Sequence, residues 1–191
     1  MASQDPAPAT EGLVPAGDVR LQYWDTGGDG DVVVLCHPAS QGTAIWRHQR
    51  RAFASHGYRV IAYARRGHDA SEKGTSGDPG TTVGDLTAFL DTLGITKAHI
   101  LGAAAGGITA LAFAVAHPQR VRSLTLAGTI FSLDEDTWRD AYARLEMEGK
   151  RGLVSEAFLE LGPSYRLSNP QGTAHFARLS EAALANGPAR Q

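Results

Sequence analysis

Two hydrophobic rhythms alternate along the chain. Residues 32–36 form a continuous apolar, β-branched run, the pattern of a strand covered on both faces; 58–63 reads as another buried strand and 121–127 as one more apolar strand. Between them, apolar positions recur every three to four residues, as on one face of a helix. Residues 43–56 set Ile45, Trp46, Ala52 and Phe53 on one stripe, with Gly57 past its end. A second helix opens at Thr82 with Asp85 in its first turn, carries Val83, Leu86, Leu90 and Leu93 on its stripe, and stops at Gly94. Residues 19–25 alternate apolar and polar side chains, as a half-buried edge strand does. Residues 65–80 read as a long polar loop. Residues 1–17, rich in Ala, Pro, Gly and acidic residues and without periodicity, read as a disordered or loosely attached tail.

Strands alternating with helices imply right-handed crossovers. The expected fold class for residues 18–132 is therefore α/β, a mostly parallel sheet with helices on both faces. After Ser132 the rhythm is helical only, over 134–148, 152–161 and 172–185, with a clean stripe of Leu153, Val154, Ala157, Phe158 and Leu161. Such a block, 133–191, reads as a helical lid or cap over the carboxyl ends of the strands, where α/β proteins bind ligands. Additional helices packed on the sheet are the plainer alternative.

The sharpest local signal lies at 98–107, Ala-His-Ile-Leu-Gly-Ala-Ala-Ala-Gly-Gly. An apolar run enters a glycine and three alanines, then two more glycines open a helix that Pro118 ends. Gly102 and Gly106 have the spacing of a G-x-S-x-G nucleophile elbow, a tight turn that lifts one side chain above a sheet. The lifted residue would be Ala104, whose methyl group cannot attack a carbonyl. A degraded dinucleotide fingerprint through Gly102, Ala104 and Gly107 competes less well. The strand is internal, the middle glycine is missing, and no acid follows at the end of the next strand.

Composition narrows the function classes. A net charge of −2 with interspersed signs leaves no footprint for nucleic acid or an anionic membrane surface, and no stretch is long and apolar enough to span a bilayer. Cys36 is the single cysteine, so no internal disulfide forms, which suits a reducing compartment. No signal-peptide pattern opens the chain. The seven histidines lack metal-ligand spacing. These features point to a cytoplasmic protein that takes a small-molecule substrate or ligand, without metal or cofactor, and they leave a homo-oligomer open.

Three segments, in order, resemble the α/β-hydrolase superfamily, in particular its lid-bearing esterase and carbon–carbon-bond hydrolase branches. Leu35-Cys36-His37-Pro38-Ala39-Ser40 stands where that family has its His-Gly oxyanion loop. Tyr63-Ala64-Arg65-Arg66-Gly67-His68-Asp69-Ala70-Ser71 is similar to its Arg-Gly-x-Gly-x-Ser loop, and the elbow is the third segment. The resemblance covers roughly residues 19–127. It implies hydrolysis of an ester or carbon–carbon bond in a small apolar carbonyl substrate, with the backbone N–H groups of Ala39 and Ala105 forming an oxyanion hole. Three departures stand out: Ala104 at the nucleophile position, Pro38 for the loop glycine, and Asp69 for the second glycine of the arginine loop. The family's acid and histidine lie on strands later than any here, so these residues are expected to be one piece of a longer polypeptide.

Ala104 leaves several readings open. The alanine is native and water or proton-transfer chemistry replaces covalent attack, as in a serine-free lyase or cyclase; or the nucleophile was removed; or the protein is a catalytically dead binding protein or receptor. His37 is a candidate substrate-binding group or base, with a structural role as the alternative. Ser40 is a candidate ligand contact, with loop capping as the alternative. Cys36 reads as a buried packing residue and Arg66 as a structural arginine. His68 and Asp69 read as solvated turn residues. Tyr165 and His175 lie in the lid region, where they would face a ligand or merely pack.

Overall fold

The computed structural model describes residues 9–75, 79–129 and 155–187. Their centre is a six-stranded sheet of order β1-β2-β4-β3-β5-β6. The strands are β1 (Thr10–Ala16), β2 (Val19–Asp25), β3 (Val32–Cys36), β4 (Arg59–Tyr63), β5 (Ala98–Ala103) and β6 (Val121–Ala127). β1 runs antiparallel to β2 and β2 to β4, whereas β4, β3, β5 and β6 are parallel neighbours. The expected mostly parallel α/β sheet is present.

Strand parity divides the core. Val34, Cys36, Ile61, Tyr63 and Ile100 point to one face and pack with Leu86 and Phe89 of α2 (Thr82–Thr92) and Ala110 and Phe113 of α3 (Ala105–Ala116). Val33, Leu35, Val60 and Ala62 point to the other. There they meet Trp24 and Trp46, the latter in the 3-10 turn Thr43–Trp46 that leads into α1 (Arg47–Ser55). Continuous apolar runs are needed because both faces are covered.

Two expectations at the N-terminal side are corrected. Thr10–Ala16 is not part of a loose tail: it pairs residue for residue with β2 and buries Val14 and Ala16. Its Gly and Pro content hid it, and Pro15 is tolerated because the strand lies at the sheet edge. β2 is accordingly an inner strand rather than an edge. The second helix is capped by Thr81, whose hydroxyl accepts from Gly84 N–H at 3.0 Å.

Beyond β6 the described residues are helical: α4 (Glu156–Glu160), α5 (Pro163–Ser168) and α6 (Pro170–Leu184). Residues 134–148 lie outside the described residues, as does the start of 152–161. Ser155 caps α4 through its hydroxyl, and α5, which the periodicity did not single out, begins at Pro163.

Candidate active site

β5 breaks into α3 through a single residue. Ala104 adopts φ 47° and ψ −118°, a region that L-residues avoid, and its side chain is exposed. Such a conformation costs about 1–3 kcal/mol and persists only where its surroundings hold it. Two bonds do so: Ala104 N–H donates to Ala127 O at 2.9 Å, and Gly107 N–H donates to Ala104 O at 2.9 Å. Glycines flank the tip for steric reasons. A Cβ on Gly102 would strike Gly106 O, and one on Gly106 would strike the carbonyls of Cys36 and His37. The first turn of α3 thus lies directly against the end of β3 and the start of the 37–42 loop.

That loop is braced from below by two histidines. His37 is fully buried; its Nε2 accepts from Arg65 N–H at 3.0 Å and its Nδ1–H donates to Pro38 O at 2.7 Å. Burial, then the nearby Arg65 and His68, push its pKa well below the ordinary histidine value, so the ring is neutral. With both nitrogens engaged by backbone, the geometry gives His37 the role of a loop brace and leaves no ring nitrogen for a ligand. His68, its ring centroid 4.7 Å away, is also buried, and its Nε2–H donates to Ala39 O at 2.9 Å. The same burial pushes its pKa down.

Asp69 is no solvated turn residue either. At φ 48° it turns its carboxylate inward, where one oxygen accepts from Thr43 N–H at 2.8 Å and Thr43 Oγ1–H at 2.9 Å. His68 and Asp69 are corrected together: they fasten the arginine loop to the loop that holds Ala39. Arg66 is structural as expected, forked onto buried Asp85 at 2.7–2.8 Å and onto Asp18. Cys36 is fully buried, and desolvation pushes its thiol up to about 12.

The residues between these braces differ in what they leave free. Ala39 is exposed, and its N–H makes no hydrogen bond among the described residues. Ala105 is the first residue of α3, so its N–H has no carbonyl one turn before it in the helix. Ser40 is buried and its hydroxyl has no partner among the described residues, so it does not cap its loop; its carbonyl instead accepts from Ser180 Oγ–H of α6 at 2.6 Å. Gln41 Nε2 donates to the same Ser180 oxygen at 3.0 Å.

Asp69, Gln41, Ser180 and Arg65 were not singled out as functional positions in the sequence. The first three act through contacts of high sequence separation that local pattern does not carry. Arg65 stands beside a motif arginine, and its Nε and Nη2 are buried without partners among the described residues. The doublet Arg65-Arg66 following an apolar strand was the available signal.

Comparison with known proteins places this geometry. A family model described as alpha/beta hydrolase fold matches residues 31–147. A 2-hydroxy-6-oxononadienedioate/2-hydroxy-6-oxononatrienedioate hydrolase of Burkholderia vietnamiensis is 39% identical over 118 residues, 58% of this chain and 40% of that protein. The chain thus spans about two fifths of the length of that curated relative. An enol-lactonase from Burkholderia xenovorans superposes with a TM-score of 0.68 at 27% identity, covering 88% of this chain and 67% of that one. A hydrolase from Pseudomonas aeruginosa gives 0.69 at 26% identity, covering 93% and 69%.

Proposed function

The chain belongs to the α/β-hydrolase fold family, and we propose that it supplies the elbow, the carbonyl-binding loop and part of the cap of an enzyme that hydrolyses a small apolar carbonyl substrate. An ester or a carbon–carbon bond next to a carbonyl is the bond cleaved, in keeping with the names of its relatives. The observation that carries this reading is Ala104 itself. A strained, exposed turn is retained at the position from which the reacting centre would be reached, although its side chain is inert.

In this reading the substrate carbonyl oxygen lies between the N–H groups of Ala39 and Ala105. As water adds to the carbonyl carbon, its electrons move onto that oxygen, and the two N–H groups stabilise the charge. The proton of the attacking water passes to a base, which returns it to the leaving group as the tetrahedral carbon collapses. Hydrogen-bond donors of this kind sustain catalysis even where triad members are removed. A non-catalytic ligand-binding protein is the second reading, favoured by the inert Ala104 methyl.

Assaying the full polypeptide and its Ala104→Ser variant against p-nitrophenyl esters and ring-cleavage diketones separates the readings. Turnover by the parent supports nucleophile-free hydrolysis. Turnover only in the variant marks a lost nucleophile, and binding without turnover in either favours the ligand-binding protein.

A further inference from the structure

Among the described residues, helix α6 is hydrogen-bonded to the core through its C-terminal half and the turn that follows it. Ser180 holds the carbonyl of Ser40, Asp69 N–H donates to Ala183 O at 2.9 Å, and Asn186 Nδ2 donates to Asp69 O at 2.5 Å. Towards its N-terminal half, a cavity of about 510 Å³ opens between α6 and the 3-10 turn with the first turn of α1. That volume is in the range of small-molecule sites. None of its lining residues belongs to the elbow or to the 37–42 loop.

The lining has two characters. Ile45 from the 3-10 turn and Phe176 and Leu179 from α6 are apolar. Arg47 and His48 from α1 and His175 from α6 are basic, and no carboxylate lines the cavity among the described residues. The Arg47 side chain has one hydrogen bond among the described residues, from its Nε to His48 Nε2 at 3.2 Å, and no ion pair. His175 Nε2 is buried without a partner among the described residues. The orphaned imidazole nitrogen is poorly satisfied as it stands, and the exposed Arg47 beside it carries a charge that no carboxylate pairs among the described residues; an anion with an apolar body would satisfy the one and pair with the other.

We infer that this cavity binds a small organic carboxylate, with its head group on Arg47 and His175 and its apolar body against Ile45, Phe176 and Leu179. A carboxylate suits the site better than a phosphate dianion, because Arg47 is the one guanidinium lining the cavity among the described residues and Ile45, Phe176 and Leu179 offer an apolar wall. The Tyr165 hydroxyl bounds one end, accepting from Asn169 Nδ2 at 3.2 Å. Binding is tighter at acid pH, because a carboxylate favours the protonated form of His175. The groups that face His175 are Arg47 and His48 from α1, Arg178 on its own helix and Tyr165 from α5; desolvation first, then the charges of Arg47, Arg178 and His48, hold its pKa below the ordinary histidine value, and an anion opposes that shift.

Calorimetric titration of the full chain with benzoate tests this, independently of any turnover. Saturable binding is expected, stronger at pH 6 than at pH 8, and weakened by about tenfold or more in Arg47→Gln, which removes one charge-assisted hydrogen bond. Benzamide, of the same shape without the charge, is expected to bind correspondingly weakly. The His175→Asn variant is expected to bind benzoate with a weaker pH dependence than the parent. Absence of saturable binding overturns the inference, as does equal binding of benzamide, equal binding of inorganic phosphate, or unchanged affinity in an Arg47→Gln protein whose unfolding temperature matches the parent.

Discussion

The Ser180 hydroxyl of α6 donates to the carbonyl of Ser40 at 2.6 Å while accepting from Gln41 Nε2 at 3.0 Å. One side chain of α6 therefore holds both residues that follow Ala39. Helix α6 and the 37–42 loop are tied together by these bonds, across 140 residues of sequence.

Ser180→Ala removes both bonds and leaves a buried amide and carbonyl unpaired. The expected cost is about 1–3 kcal/mol, read as a lowered midpoint in thermal unfolding. Hydrogen exchange at the Gln41 amide, which donates to Pro38 O at 3.3 Å, should quicken in the variant, whereas exchange in β3 should not change.

The neutral, buried His37 makes stability depend on pH. Its folded pKa lies well below the ordinary 6.5, so below that value the unfolded chain binds a proton that the folded chain refuses. Stability contributed this way is complete above pH 6.5 and falls as pH drops towards the folded pKa, by about 1.4 kcal/mol per pH unit for one such group. His68, shifted in the same direction, adds to the slope. Urea unfolding between pH 7.5 and 5.5 should show the decline, and His37→Gln should flatten it.

At Asp69, backbone strain and hydrogen bonding pull in opposite directions. Glycine would relieve φ 48° but abandon both bonds to Thr43; asparagine tolerates the left-handed region and keeps an acceptor there. Asp69→Gly should therefore be less stable than Asp69→Asn, by about 1 kcal/mol in denaturant unfolding. The reverse order would mean that strain dominates at this turn.

Cys36 should be chemically silent. Its thiol is fully buried and shifted to about 12, so the native protein should resist thiol-specific disulfide reagents at pH 8. One thiol per chain should react once the protein is unfolded.

What could be read from the sequence was set by local periodicity. The runs of β3, β4 and β5 and the stripes of α1 and α2 declared themselves, because burial on both faces or on one stripe writes itself into consecutive residues. β6 was legible from its apolar positions although it lies largely exposed at the sheet edge among the described residues. The elbow was legible because Gly102 and Gly106 are demanded by backbone approaching backbone. β1 was missed because Gly12 and Pro15 interrupt it, and its place comes from pairing with β2 rather than from its own propensity. His68 and Asp69 looked solvated because polar residues in a glycine-containing loop commonly are. Their burial depends on Ala39 and Thr43, each more than 25 residues away. The cavity walled by Arg47 and His175 was illegible for the same reason, since α1 and α6 are adjacent only in space.

The account rests on Ala39 and Ala105 presenting their N–H groups to one oxygen beside Ala104. The most direct measurement is a nuclear magnetic resonance titration of the full polypeptide, labelled with nitrogen-15, with a phenylphosphonate monoester whose anionic oxygen mimics the tetrahedral oxyanion. Both amide protons should move downfield together along one saturable curve. If the ligand binds with neither moving, or with only one, the two groups do not share an oxygen and the carbonyl site proposed here is wrong.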